Sequence, residues 1–134
     1  MKIIEAIIER ASDGFYSVYC KNEMFSGGGN TPEEAKTDML TQMNFYKETA
    51  KEMKFAYPSF LDEEFEIVYK FDAESLLKYY AGVITPAALE RLTGIHQKQL
   101  WSYMHGRSKP RKKQVEKIEK ALHSLGNELV SIAL

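Results

Sequence analysis

The chain has one cysteine, Cys20, so no internal disulfide can form and no cysteine cluster can hold a metal. Its three histidines, His96, His105 and His123, are not spaced like a metal-ligand set. No apolar run approaches the roughly 20 residues that would span a bilayer. Gly27-Gly28-Gly29 lacks the following Lys-Ser/Thr of a phosphate-binding loop and reads as a flexible turn. No internal repeat or low-complexity segment is present, and no motif asks for a cofactor. An acid as early as Glu5 does not suit a signal peptide. These absences lead us to expect a cytoplasmic protein in a reducing compartment, with no membrane partner.

What is present is an uneven distribution of charge. The net charge is only −1, yet residues 1–81 hold 9 Lys+Arg against 15 Asp+Glu, while residues 82–134 hold 9 against 4. The first part is therefore −6 and the second +5. Such asymmetry suggests two surfaces with different partners, the basic one suited to nucleic acid and the acidic one to a basic protein. Uneven but solvated faces would give the same arithmetic.

The N-terminal half reads as α+β, in the order β-β-β-α-β. Ile4, Ala6 and Ile8 share one face of a strand over residues 2–9, with Glu5 and Glu9 on the other. Asp13-Gly14 marks a hairpin, and Phe15 to Cys20 form the returning strand. Met24-Phe25-Ser26 is a candidate third strand before the glycines break regular structure. Thr31-Pro32-Glu33-Glu34 starts a helix, through a capping hydroxyl, a proline at the first helical position and acids at the positive end of the dipole. That helix is expected to reach about Lys54, burying Ala35, Met39, Met43, Tyr46, Ala50 and Met53 as one stripe. The methionines are read as core rather than as a binding groove. An acidic loop over residues 57–64 leads to a strand in which Phe65, Ile67, Tyr69 and Phe71 alternate with polar positions and Val68.

Beyond Phe71 the period becomes helical. Asp72 can cap a helix carrying Leu76, Leu77 and Tyr80, and Thr85-Pro86 opens a second with Leu89 and Leu92 as its core. Thr93-Gly94 breaks it, residues 96–105 form a third, and Gly106 suits a left-handed stop. Val115, Ile118, Leu122, Leu125 and Leu129 stripe the last helix. With Val130, Ile132 and Leu134 they exceed what one small bundle needs, which suggests a homodimer or higher oligomer built by this half. The expected domains are residues 1–71 and an all-α domain over 72–134.

Residues 89–106 resemble the helix-turn-helix of lambda-repressor and Cro-like proteins. Gly94 permits the tight turn, and Ile95, Leu100 and Met104 face inward to hold the second helix on the first. Gln97, Lys98, Gln99 and Ser102 are left outward at the helix start that enters a major groove. Gln can pair bidentately with adenine, and Lys can reach guanine or phosphate. Arg107, Lys109, Arg111 and Lys112 follow in a loop suited to phosphate contacts. The candidate DNA-contacting set is completed by Thr85 and His96. Two residues depart from the motif. Glu90 stands where a small residue is usual, so either the helices pack apart or Glu90 reaches outward. Trp101 stands where a small polar residue is usual, and packs either on the following loop or against the DNA backbone.

Taken with the N-terminal segments Ile7-Ile8-Glu9, Asp13-Gly14-Phe15-Tyr16 and Gly29-Asn30-Thr31-Pro32-Glu33-Glu34-Ala35, nearly the whole chain resembles the HicB antitoxin family, in its members with a C-terminal helix-turn-helix. The resemblance implies a truncated ribonuclease-H-like N-terminal domain without the nuclease carboxylates. It also implies operator DNA as one partner, and as another a HicA-like toxin, a small basic mRNA-cleaving protein with a double-stranded-RNA-binding-like fold. The family's Pro-acid-Leu-Pro-Gly-Cys loop is replaced here by Lys21-Asn22-Glu23-Met24.

Two other readings compete. A nuclease would need converging acids to hold metal ions; Glu5, Glu9, Asp13, Asp38 and Glu66 are available but fall mostly on polar faces, where solvated charge accounts for them. A stand-alone transcription regulator with an N-terminal ligand-sensing or dimerisation domain fits the sequence too. An adjacent reading frame for a very small basic protein would favour the antitoxin.

Overall fold

The computed structural model describes all 134 residues, in two compact units, Met1–Asp72 and Ala73–Leu134. The first is α+β. Its strands β1 (Lys2–Arg10), β2 (Tyr16–Cys20), β3 (Ser26–Gly29) and β4 (Phe65–Phe71) form one sheet in the order β3-β2-β1-β4. β1 runs antiparallel to β2, in register Ile8↔Val18, and parallel to β4, in register Ile4↔Ile67. The alternation of β1 decides which face is covered: Ile4, Ala6 and Ile8 are buried with Tyr16, Val18 and Cys20 of β2. Helix α1 (Pro32–Met53) lies over them and inserts Ala35, Met39 and Met43.

Local chemistry fixes the ends of these elements. The β1–β2 turn closes with the Ala11 N–H on the Phe15 carbonyl at 2.8 Å and Gly14 at φ 90°. There the Asp13 carboxylate accepts the Phe15 N–H. At the start of α1, Thr31 Oγ1 accepts the Glu34 N–H at 3.1 Å, and the Glu34 carboxylate reaches back to the Asn30 N–H at 2.7 Å. This is the reciprocal logic of a capping box. The helix ends at Lys54, which takes a left-handed conformation at φ 57°.

The third strand differs from expectation. Met24 precedes it and Phe25 is a buried core residue, whereas the glycines, read as a flexible turn, pair with Tyr16–Val18 of β2, extending β3 from Ser26, which pairs with Tyr19. Close approach to α1 explains this. A Cβ at Gly27 would sit 2.6 Å from the Ala35 carbonyl oxygen, and one at Gly29 would sit 2.5 Å from the Glu34 Cβ. The acidic loop also contributes: a 3-10 turn, Ser59–Asp62, buries Phe60 and Leu61 at the end of the core. At the other end of the stripe Met53 is exposed rather than core.

The sheet face away from α1 carries charge. Glu5 is bound by Lys70 at 3.0 Å and Lys21 at 3.6 Å, and Tyr19 donates to Glu9 at 2.9 Å. The Lys70 hydrogen bond, with help from Lys21, holds the Glu5 carboxyl below its ordinary pKa. No three His, Cys, Asp or Glu side chains converge as a metal site.

The second unit is all-α: α2 (Ala73–Tyr79), α3 (Pro86–Thr93), α4 (Gln97–Met104) and α5 (Lys112–Val130). Leu77, Leu89, Ile95, Leu100, Tyr103, Met104 and Ile118 form its core. Leu100 is fully buried and contributes about 1.5–3 kcal/mol. Leu92, expected in this core, is exposed. It lies about 60° round α3 from Leu89, at the margin of a short helix that buries one face. Tyr80 is likewise exposed, just beyond the end of α2. No helix of the chain is long and apolar enough to cross a membrane.

Candidate nucleic-acid interface

α3 and α4 meet through the turn Gly94-Ile95-His96, and each step of the turn has a hydrogen-bonding cause. Thr93 Oγ1 donates to the Leu89 carbonyl at 2.6 Å and accepts the Ile95 N–H at 3.0 Å. Gly94 takes φ 76° and closes α3 on the Glu90 carbonyl. Such a φ strains any side chain, so glycine is required there. Ile95 then plugs into the core and reverses the chain.

The N-termini of both helices are capped by polar side chains. Thr85 Oγ1 accepts the Ala88 N–H at 3.1 Å at the start of α3. At the start of α4, His96 Nδ1 accepts the Lys98 N–H at 3.1 Å, and Glu90 Oε1 accepts the Gln97 N–H at 2.9 Å. Glu90 therefore reaches from α3 across the turn to the positive end of the α4 dipole. Its carboxylate satisfies an otherwise orphaned donor. Thr85 and His96, both expected to contact DNA, hold the helix starts in place.

The outward face of α4 presents Gln97, Lys98, Gln99 and Trp101, all exposed, with Ser102 half-buried behind them. A concavity of about 540 Å³ opens between the helix starts, lined by Pro86, His96, Gln97, Lys98 and Trp101. The loop after α4 is tied back to this face. Ser108 Oγ lies 2.8 Å from Ser102 Oγ and accepts from Gln99 Nε2 at 3.3 Å. Trp101 stacks on His105 at 4.0 Å, and the Arg107 guanidinium sits 4.8 Å above the indole. Trp101 thus packs on the following loop and aims Arg107.

Gly106, at φ 69°, makes the loop reversal possible, with the Glu74 carboxylate where a side chain would go. Lys109 is exposed in the loop. Arg111 stands at the N-cap position of α5 without a capping bond from its side chain, and Lys112 is the first helical residue, not part of the loop as expected. With Lys113, Gln114 and Lys117 these two line a separate concavity whose charged residues are all basic. None of Lys98, Arg107, Lys109, Arg111 and Lys112 is engaged in an ion pair. The N–H groups of Ala88, Gln97 and Lys98 at the two helix starts are already taken by Thr85, Glu90 and His96, so the positive charge of this unit rests on these cationic side chains.

Sequence reasoning missed three contributors. Ser108 carries no motif, whereas Lys113 and Lys117 did carry a signal, since cations four apart on a helix share a face. Glu90 and Trp101 stand out in the sequence as departures from the motif, without their hydrogen-bonding and stacking partners.

No family model matches this chain, no curated protein matches its sequence and no solved structure matches its fold. The resemblance drawn above rests on short motifs and their order along the chain.

Proposed function

We propose that the chain is the antitoxin of a type II toxin-antitoxin system, with residues 73–134 as an operator-binding helix-turn-helix and residues 1–72 as the toxin-binding domain. On this reading the first unit is a truncated ribonuclease-H-like fold and its target a HicA-like mRNA-cleaving toxin. The observation that carries the proposal is the face of α4: Gln97, Lys98 and Gln99 lie outward at a capped helix start, beside cations without carboxylate partners. Such a helix start, entered into a major groove, places side chains on base edges, and Arg107 and Lys109 supply phosphate contacts. The acidic first unit complements a basic ribonuclease, and charge of opposite sign speeds association more than it deepens affinity.

The test uses the chain's own locus. The full chain is titrated against the duplex upstream of its reading frame and against a scrambled duplex, and is co-expressed with the product of any adjacent reading frame that encodes a very small basic protein. Selective binding to the first duplex together with rescued growth is the expected result. Selective DNA binding with no toxin to neutralise points to the stand-alone regulator, and no selectivity removes the operator-binding half of the proposal.

A further inference from the structure

We propose that the groove between β3 and α1 of the first unit is a docking site for a cationic amphipathic helix of a partner protein. The groove holds about 550 Å³. Its apolar walls carry Met24, Phe45, Met53 and Phe55, each more than half exposed: 66%, 67%, 59% and 62%. Four large apolar side chains open to water around one groove differ from the scattered exposed residues of an ordinary surface.

The charge of α1 selects the partner's sign. At about 100° per residue, Glu34, Asp38, Glu48 and Glu52 fall within an arc of about 80° on the solvent side of the groove. Lys36, Lys47 and Lys51 fall on the opposite flank. Two of these lysines are occupied there: Lys36 pairs with Glu33 and lies over Tyr69, and Lys47 pairs with Asp62 and donates to the Leu61 carbonyl. The groove therefore has an acidic rim and no cation among its lining residues, Lys54 standing at its end between Met53 and Phe55, in a unit whose residues 1–72 carry 8 Lys+Arg against 14 Asp+Glu. A second copy docking through this same face would bring the same acids against these.

The sheet edge selects the partner's shape. β3 is an edge strand, and strand addition would need its outward N–H groups. The outward N–H of Gly28 is already taken by the Asp38 carboxylate at 2.9 Å. A carboxylate on an edge donor blocks strand pairing, as edge charges generally do. Side chains at helical spacing, inserted from outside, fill the groove without contesting that bond.

This inference deepens the antitoxin reading by naming where a basic partner seats, and its test needs no toxin. The full chain carrying ¹³C-methyl methionine is titrated with a synthetic leucine–lysine amphipathic helical peptide and with the leucine–glutamate peptide of the same pattern. The methyls of Met24 and Met53 should move saturably while those of Met1 and Met104 stay. Phe45→Lys with Met53→Lys, both at exposed positions, should raise the Kd at least tenfold with an unchanged Tm, Met24 remaining as reporter. Absence of saturable shifts overturns the proposal, as does equal affinity of the double variant or of the glutamate peptide. So do Met24 and Met53 shifts that follow protein concentration alone, which would make a second copy the occupant. A chain that binds the lysine peptide but fails to rescue growth from the neighbouring gene refutes the antitoxin reading and leaves the groove standing. The converse result leaves the antitoxin and refutes the groove.

Discussion

Glu90 and Gln97, one on each side of a tight turn, are joined by a hydrogen bond of 2.9 Å from the Gln97 N–H to the Glu90 carboxylate. This makes an acid part of a surface that is otherwise basic. The bond joins α3 to the first turn of α4 and so fixes the angle at which α4 leaves the turn. It also sets a negative charge beside the place proposed for phosphate. Stability and DNA affinity therefore pull in opposite directions at this residue. Glu90→Ala should lower stability by about 1 kcal/mol, the usual loss for a cap. Glu90→Gln, which keeps an acceptor, should lose less. Both should raise affinity for random DNA and steepen its dependence on salt. Urea melts and titrations at several ionic strengths check the two effects separately, and a variant that loses stability without gaining affinity contradicts the placement of DNA on this face.

The glycines of β3 should differ sharply from one another. A Cβ at Gly27 meets backbone, the Ala35 carbonyl oxygen and the Met39 amide, neither of which can move without shifting α1. A Cβ at Gly28 meets the ring of Phe15, a side chain nearly half exposed and free to swing away. Gly27→Ala should cost about 1–3 kcal/mol as overpacking, and Gly28→Ala markedly less. Equal losses in chemical denaturation would mean that α1 does not press on this strand.

That contrast also shows what could be read in advance. β1, β4 and α1 were legible because each combines an apolar period with local end signals: Ile4-Ala6-Ile8, Phe65 to Phe71, and Thr31 with Glu34. β3 was not, because glycine has no strand preference of its own and the cause is a tertiary approach of α1. Met53 keeps the period of its stripe yet lies one turn past the sheet, where nothing covers it. In the second unit, Gly94 and the inward Ile95, Leu100 and Met104 were readable from spacing. The roles of Glu90, Ser108 and Trp101 were not, since each depends on where a loop returns in space. A cap reaching back seven residues across a turn leaves no pattern in a sequence.

The last helix carries an apolar stripe longer than its core can cover. Ile118 is buried and Leu122 half-buried, whereas Leu129 and Ile132 are 57% and 59% exposed. Val115, Ile118, Leu122, Leu125 and Leu129 alternate steps of three and four, the spacing of a two-helix seam, and Ile132 follows just past the helix end. A two-fold pair would also set two copies of α4 to read two half-sites. Light scattering on the full chain should give twice the 15.4 kDa protomer mass, and Leu129→Lys with Ile132→Lys should give the protomer with its melting temperature nearly kept. A monomeric parent chain at tens of micromolar, or a dimeric variant, would place the contact elsewhere.

Reading and gripping should separate between Gln97 and Lys109. Gln97 stands in the first turn of α4, with its N–H committed to Glu90 and its side chain exposed. Lys109 stands in the loop beyond Gly106, exposed and without an ion pair. Base-edge contacts carry sequence information, whereas phosphate contacts carry mainly charge. Gln97→Ala should therefore cost about 1–3 kcal/mol on the operator and almost nothing on scrambled DNA. Lys109→Ala should weaken both duplexes alike and lower the salt slope by about one unit. Neither side chain belongs to the core of Leu89, Leu100 and Ile118, so both variants should melt like the parent chain. If Gln97→Ala weakens the two duplexes equally, α4 does not lie with its first turn in the groove.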